Sequence, residues 1–217
     1  MFSTWNDRMY SMICEHRASV IARIIPQQVG DYEWLLEHVS EAETQEYQRA
    51  YRKFWGMRGV STDFYRAYFK ILRDSIAESA TPADVCRELS PNSLRGDGQQ
   101  TIQFSFATKL CHVLRPHCPI YDSHVSRFYL YREPSAQLSL ETRIEGLVEF
   151  YRSLIEEQKR VLSAGFLALA ISVFREKFLP QRHTDEKIVD WLIWAFMGYL
   201  EGGKPHVKPS LLTGGAN

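Results

Sequence analysis

The chain has 217 residues, enough for one large domain or two small ones with a substantial core. Apolar residues make up 45% of it and charged residues 24%, an ordinary globular balance rich in aromatics at 13%. Lys and Arg total 26 against 26 Asp and Glu, and this zero net charge argues against strong nonspecific binding to nucleic acid, which draws on phosphate neutralisation.

Helical period recurs in nearly every segment, and strand-like alternation is scarce. A first helix is expected from Thr4 to Ile25, ended by Pro26, and a short one around Tyr32–Val39. Ser40-Glu41-Ala42-Glu43 has the form of a capping box, so the next helix is expected to run from there to Trp55. Tyr47, Tyr51, Phe54 and Trp55 give it an apolar face. Gly56 and Gly59 mark a turn. Thr62 is the expected cap of a helix from Asp63 to Ser79, with Tyr65, Tyr68, Phe69, Leu72 and Ile76 as its core stripe.

Thr81-Pro82 reads as an N-cap followed by proline at the first helical position, opening a helix to Leu89. Ser90-Pro91-Asn92 and Gly96-Asp97-Gly98 are loop signals. A helix or helix hairpin over 100–114 is closed by Pro116 and Pro119. Asp122 or Ser123 then caps a helix through Tyr131, and Glu133-Pro134-Ser135 breaks it. Helices at 140–160, 163–178 and Thr184–Leu200 follow, the last burying Ile188, Trp191, Leu192 and Ala195. The segment after residue 201 lacks periodicity and reads as a mobile tail. The expectation is one all-α domain over 1–201, with the N-terminal helices packed against a core at about 60–200.

No basic stretch followed by an apolar run opens the sequence, and the most apolar segment, 166–174, is too short to span a bilayer. Cys14, Cys86, Cys111 and Cys118 are sparse and irregular, the pattern of free thiols in a cytoplasmic protein without a membrane partner. Cys111-His112 and His117-Cys118 are zinc-ligand types, but adjacent helix residues point to different sides and the spacing matches no usual finger. No metal site is expected. Residues 95–132 hold Arg95, Lys109, Arg115, Arg127 and Arg132 against Asp97 and Asp122, which suits an anionic partner or simply samples a solvated surface.

The chemistry concentrates in Phe106-Ala107-Thr108-Lys109 and Pro119-Ile120-Tyr121-Asp122-Ser123-His124-Val125. A lysine amine attacks an electrophilic carbon only when deprotonated, and apolar neighbours such as Phe104, Phe106 and Leu110 favour that form. A carboxylate at the start of a helix, as Asp122 would be, is favoured by free amides and the helix dipole. It can hold a proton or stabilise developing positive charge. Read alone, Lys109 is equally a helix residue whose stem covers apolar surface, and Asp122 an N-cap.

Together the two segments resemble the signature of helix-hairpin-helix DNA glycosylases, the 8-oxoguanine glycosylase type in particular. There a glycine-containing hairpin leads into a threonine and a catalytic lysine, and a Pro-Val-x-Asp-x-His-Val stretch follows. The resemblance implies an all-helical fold and cleavage of a damaged purine from DNA without a cofactor. Lys109 would be the nucleophile at the sugar C1′, with Asp122 assisting. It puts Ser105 and Ala107 at the hairpin glycine positions, facing the nucleic-acid backbone, where Arg115 and Arg127 would also bind phosphates. A target base would have to leave the duplex stack. Phe104, Phe106, Tyr121 and His124 are the nearest candidates to contact it. The alternatives are a binding module that keeps the fold without catalysis, and a helical protein-interaction domain.

Overall fold

Eleven α-helices are found among the described residues of the computed structural model, which are 4–75, 80–93 and 100–202, and no strand element is found among them. They are α1 (Thr4–Glu15), α2 (Arg17–Ile21), α3 (Pro26–Glu37), α4 (Gln45–Phe54), α5 (Thr62–Asp74) and α6 (Pro82–Leu89). After these come α7 (Phe104–Leu114), α8 (Ser123–Phe128), α9 (Leu140–Ser163), α10 (Ala168–Phe178) and α11 (Asp185–Leu200). The protein is all-α, as the periodicity implies. Ile76, the Gly96-Asp97-Gly98 loop signal and the tail from 203 onward lie outside the described residues.

The first expected helix is two. The chain leaves helical geometry at His16 (φ −98°, ψ 16°) before α2 begins. Pro26 opens α3 rather than closing its predecessor. Ile25 is extended (φ −90°, ψ 129°), as a residue before proline prefers, and the fixed proline φ suits a first helical position. The cap of α4 is Thr44 and not Ser40, because 39–41 form a short 3-10 turn; Thr44 Oγ1 accepts the Tyr47 N–H at 3.2 Å. In α5 the cap is Ser61, one residue ahead of Thr62.

Three other starts follow the sequence reading. In α6, Thr81 Oγ1 accepts the Asp84 N–H at 3.3 Å while the Asp84 carboxylate accepts the Thr81 N–H at 3.2 Å. This reciprocal box satisfies two amides that a helix start leaves open. Asp122 caps α8 and Thr184 caps α11.

One hydrophobic cluster runs from Met9 to Met197. In it α2 packs on α10 and α11, and α3 on α4 and α7. The core is rich in tyrosine, so its hydroxyls need partners. Tyr68 donates to the Phe106 carbonyl at 2.9 Å and is itself 2.7 Å from the Tyr51 hydroxyl. Tyr10 and Tyr129 meet at 2.7 Å, beside Glu157. These bonds fix α7 against α5, and α1 against the end of α8.

The loop between α7 and α8 is tied down in four places. The Tyr151 hydroxyl donates to the Pro119 carbonyl at 2.8 Å, and Thr184 Oγ1 to the Pro116 carbonyl at 3.1 Å. His112 Nδ1 donates to the Cys118 carbonyl at 2.6 Å, which leaves Nε2 to accept from the Tyr32 hydroxyl at 2.7 Å. The fourth tie is the Tyr121 N–H, given to Thr108 Oγ1 at 3.1 Å. Thr108 precedes Lys109 and Tyr121 precedes Asp122, so this bond carries the carboxylate to the lysine.

Candidate active site

Lys109 and Asp122 line the same small cavity, of about 100 Å³ and open to solvent. Two further charged residues line it, Lys187 and Asp190 of α11. Phe54, Trp55, Trp191 and Trp194 supply aromatic wall, and Gln28 and Ile120 complete it.

Asp122 is fixed by its cap role. Its Oδ1 accepts the N–H groups of His124 and Val125, each at 2.9 Å. Among the described residues Oδ2 takes no hydrogen bond, so one carboxylate oxygen remains available to a ligand.

The Lys109 side chain is nearly buried, at 9% exposure for the residue. Its Nζ donates to Ser105 Oγ, one turn back, at 3.0 Å. The Trp55 and Phe106 ring centroids are 5.8 and 5.3 Å from Nζ. Burial pushes the amine below its ordinary value of 10.5, Asp122 and Asp190 oppose that shift, and Lys187 adds to it. The neutral, nucleophilic form is thereby more accessible than in a free lysine.

Lys187 is held differently. Its Nζ is 2.7 Å from Asp190 Oδ2, and the two side chains are 2% and 12% exposed. The rings of Tyr32, Trp55 and Trp191 lie 4.8, 5.2 and 4.7 Å from the same nitrogen. Burial pushes the Asp190 carboxyl up, and Lys187 counters it. The indole nitrogens of Trp55 and Trp191 are buried without a hydrogen-bond partner among the described residues, leaving two donors beside the cavity.

The remaining expected site residues are scattered. Ser105 and Ala107 sit inside α7, not in a hairpin ahead of it. Ala107 is fully buried, so its backbone cannot clamp a phosphate, and Ser105 instead holds the Lys109 amine. Phe104 and Tyr121 are core residues, their rings edge-on at 5.4 Å, with the Tyr121 hydroxyl on Glu133 at 2.7 Å. Neither lines the cavity. Phe106 flanks the amine but packs towards Phe64 and Tyr68.

His124 stands next to the cavity wall, its ring edge-on to Trp194 at 5.9 Å. Arg127 is paired with Glu201, and Arg115 donates to the Ala80 carbonyl. Both guanidinium groups already have partners within the chain. No group of three His, Cys, Asp or Glu among the described residues is arranged to hold a metal. No described helix is long and apolar enough to cross a membrane.

Sequence reasoning missed Lys187 and Asp190, and it read Trp191 and Trp194 as core packing in preference to base-stacking rings. Lys187, Asp190, Trp191 and Trp194 recur at i, i+3, i+4 and i+7 on a helix that is otherwise strongly apolar. A charged pair in phase with two tryptophans marks a polar site inside an apolar face. No family model, curated protein or solved structure matches the chain.

Proposed function

We propose that the chain is a lysine-dependent enzyme of the DNA glycosylase kind, acting on a damaged purine such as 8-oxoguanine. The observation that carries this reading is a desolvated amine and a half-free carboxylate on one aromatic-walled cavity. The Lys109 Nζ lone pair would form a bond to the sugar C1′ as the C1′–N bond breaks, with that bond's electron pair leaving with the base. Asp122 would offset the positive charge that develops on the sugar and accept the proton that the attacking nitrogen sheds. Tryptophan rings suit an extruded base, since every base has a π-face to stack.

A second reading is favoured by the helical placement of Ser105 and Ala107. Without a glycine hairpin the backbone clamp is missing, and the fold would then serve as a binding module without catalysis.

Borohydride treatment in the presence of 8-oxoguanine or abasic DNA separates the two. The enzyme yields a covalent adduct that Lys109→Gln abolishes. DNA binding without an adduct supports the module, and neither adduct nor binding at low salt removes both readings.

A further inference from the structure

We propose that Lys187 is a positioning residue for Lys109: it occupies the Asp190 carboxylate, and so keeps the second amine of the cavity without a carboxylate partner. The inference rests on the part of the proposed function that makes Lys109 the reactive amine.

The two lysines share a cavity yet are held in opposite ways. Lys187 Nζ takes a carboxylate at 2.7 Å, whereas Lys109 Nζ takes only a neutral hydroxyl at 3.0 Å. An amine in a close ion pair stays protonated and does not attack carbon. An amine that meets only a hydroxyl and ring faces, next to another cation, is disposed to lose its proton.

Among the described residues, the charged groups that act on Lys109 are Asp122, Asp190 and Lys187. Asp122, at the start of α8, spends Oδ1 on two backbone amides. From α11 come Asp190 and Lys187. Trp55, which caps the end of α4, presents its ring. Helix α3 lines the cavity with the uncharged Gln28. On α7 itself, Ser105 accepts from the amine, and His112 is held neutral by burial with both ring nitrogens engaged.

Asp122 acts on Lys109 as well but is fixed by its cap role, so Asp190, which Lys187 engages at 2.7 Å, is the carboxylate whose pairing can change. It lies on the same wall and interacts electrostatically with both amines. If Lys187 is removed, Lys109 is the remaining cation in the cavity, and Asp190 would hold it protonated.

Lysine labelled with carbon-13 at Cε reports each amine's protonation by NMR, without any activity being needed. The Lys109 signal is identified by its loss in Lys109→Gln. In the wild type it is expected to titrate below the ordinary lysine value of 10.5. In Lys187→Met the Lys109 midpoint should rise by about one pH unit or more, a roughly tenfold loss of free amine at neutral pH. In Lys187→Met/Asp190→Asn the midpoint should return to the wild-type value or below. Lys187→Arg, which keeps the ion pair, should leave it unchanged.

Should Lys187→Met not fold, Asp190→Asn alone carries the test, since Lys109 must then titrate lower than in the wild type. An unmoved midpoint in Lys187→Met, or in Asp190→Asn, overturns the proposal. So does a double variant that stays shifted. The two proposals fail separately: the expected titrations without a borohydride adduct sink only the glycosylase reading. An adduct with unmoved titrations sinks only this one.

Discussion

Thr108 accepts the backbone N–H of Tyr121 at 3.1 Å, and through that bond the residue before the candidate nucleophile holds the residue before the candidate acid. Thr108 is fully buried, and its hydroxyl also donates to the Ser105 carbonyl at 3.1 Å. Thr108→Val keeps the shape but strands the buried Tyr121 N–H. A loss of about 1–3 kcal/mol is expected, measured by urea unfolding. Thr108→Ser keeps the hydroxyl and should cost less. A loss in Thr108→Ser with none in Thr108→Val would mean that the methyl group, and not the hydrogen bond, matters.

The Lys109 amine predicts a pH dependence of stability. Its pKa in the folded chain lies below the ordinary 10.5, with burial as the main cause. Between the two values the unfolded chain binds more protons than the folded one. Stability therefore rises with pH across that window, with a slope of at most about 1.4 kcal/mol per pH unit, and the penalty is full below it. Lys109→Met removes the group. The variant is expected to exceed the wild type in stability at neutral pH, with the gap closing as pH approaches 10.5. A gap that stays constant from pH 7 to 10 would contradict a depressed amine.

What could be read from the sequence was local. Thr81, Asp122 and Thr184 announce their helices because a cap is satisfied within three residues. The break at His16 had no such mark: neither proline nor glycine stands there, and the His16 side chain makes no cap bond.

The same distinction explains the site. Lys109 and Asp122 were legible because one short motif contains both. The expected hairpin gave way because Phe104, Ala107, Thr108 and Cys111 are all buried, at i, i+3, i+4 and i+7. That spacing asks for a helix through positions 105 and 107. The tryptophans of α11 are about 70 residues further along the chain, and which face of α11 meets α7 depends on tertiary packing that no local pattern encodes.

Acid should unfold the chain through two histidines. Burial, aided by Lys187 and Arg175, lowers His183 to about 3, and burial also holds His112 well below its ordinary 6.5. His183 lies against the Tyr32 ring at 4.8 Å, with Nδ1 3.4 Å from Glu33. Because the folded values are depressed, the stability these groups allow is full above 6.5. It is lost as pH falls toward 3, with each histidine adding about 1.4 kcal/mol per pH unit to the slope. His183→Leu should flatten this acid limb by one proton's worth, read from urea midpoints between pH 6.5 and 4. An unchanged slope would show that His183 is protonated in the fold.

Gly56 sets the position of one cavity wall. It follows α4 with φ +63°, while its N–H meets the Lys53 carbonyl and the Met57 N–H meets the Arg52 carbonyl at 2.9 Å. This pair of bonds is a Schellman ending, which requires a left-handed residue after the helix cap. The cap is Trp55, whose ring faces both lysine amines. A side chain with a Cβ is strained in that conformation by about 1–2 kcal/mol, whereas asparagine tolerates it better. Stability should therefore fall in the order Gly56, Gly56→Asn, Gly56→Ala, measured by thermal unfolding. If alanine is tolerated as well as asparagine, the turn has relaxed. Trp55 is then free to move, and the near-ultraviolet circular dichroism of the tryptophans should change with it.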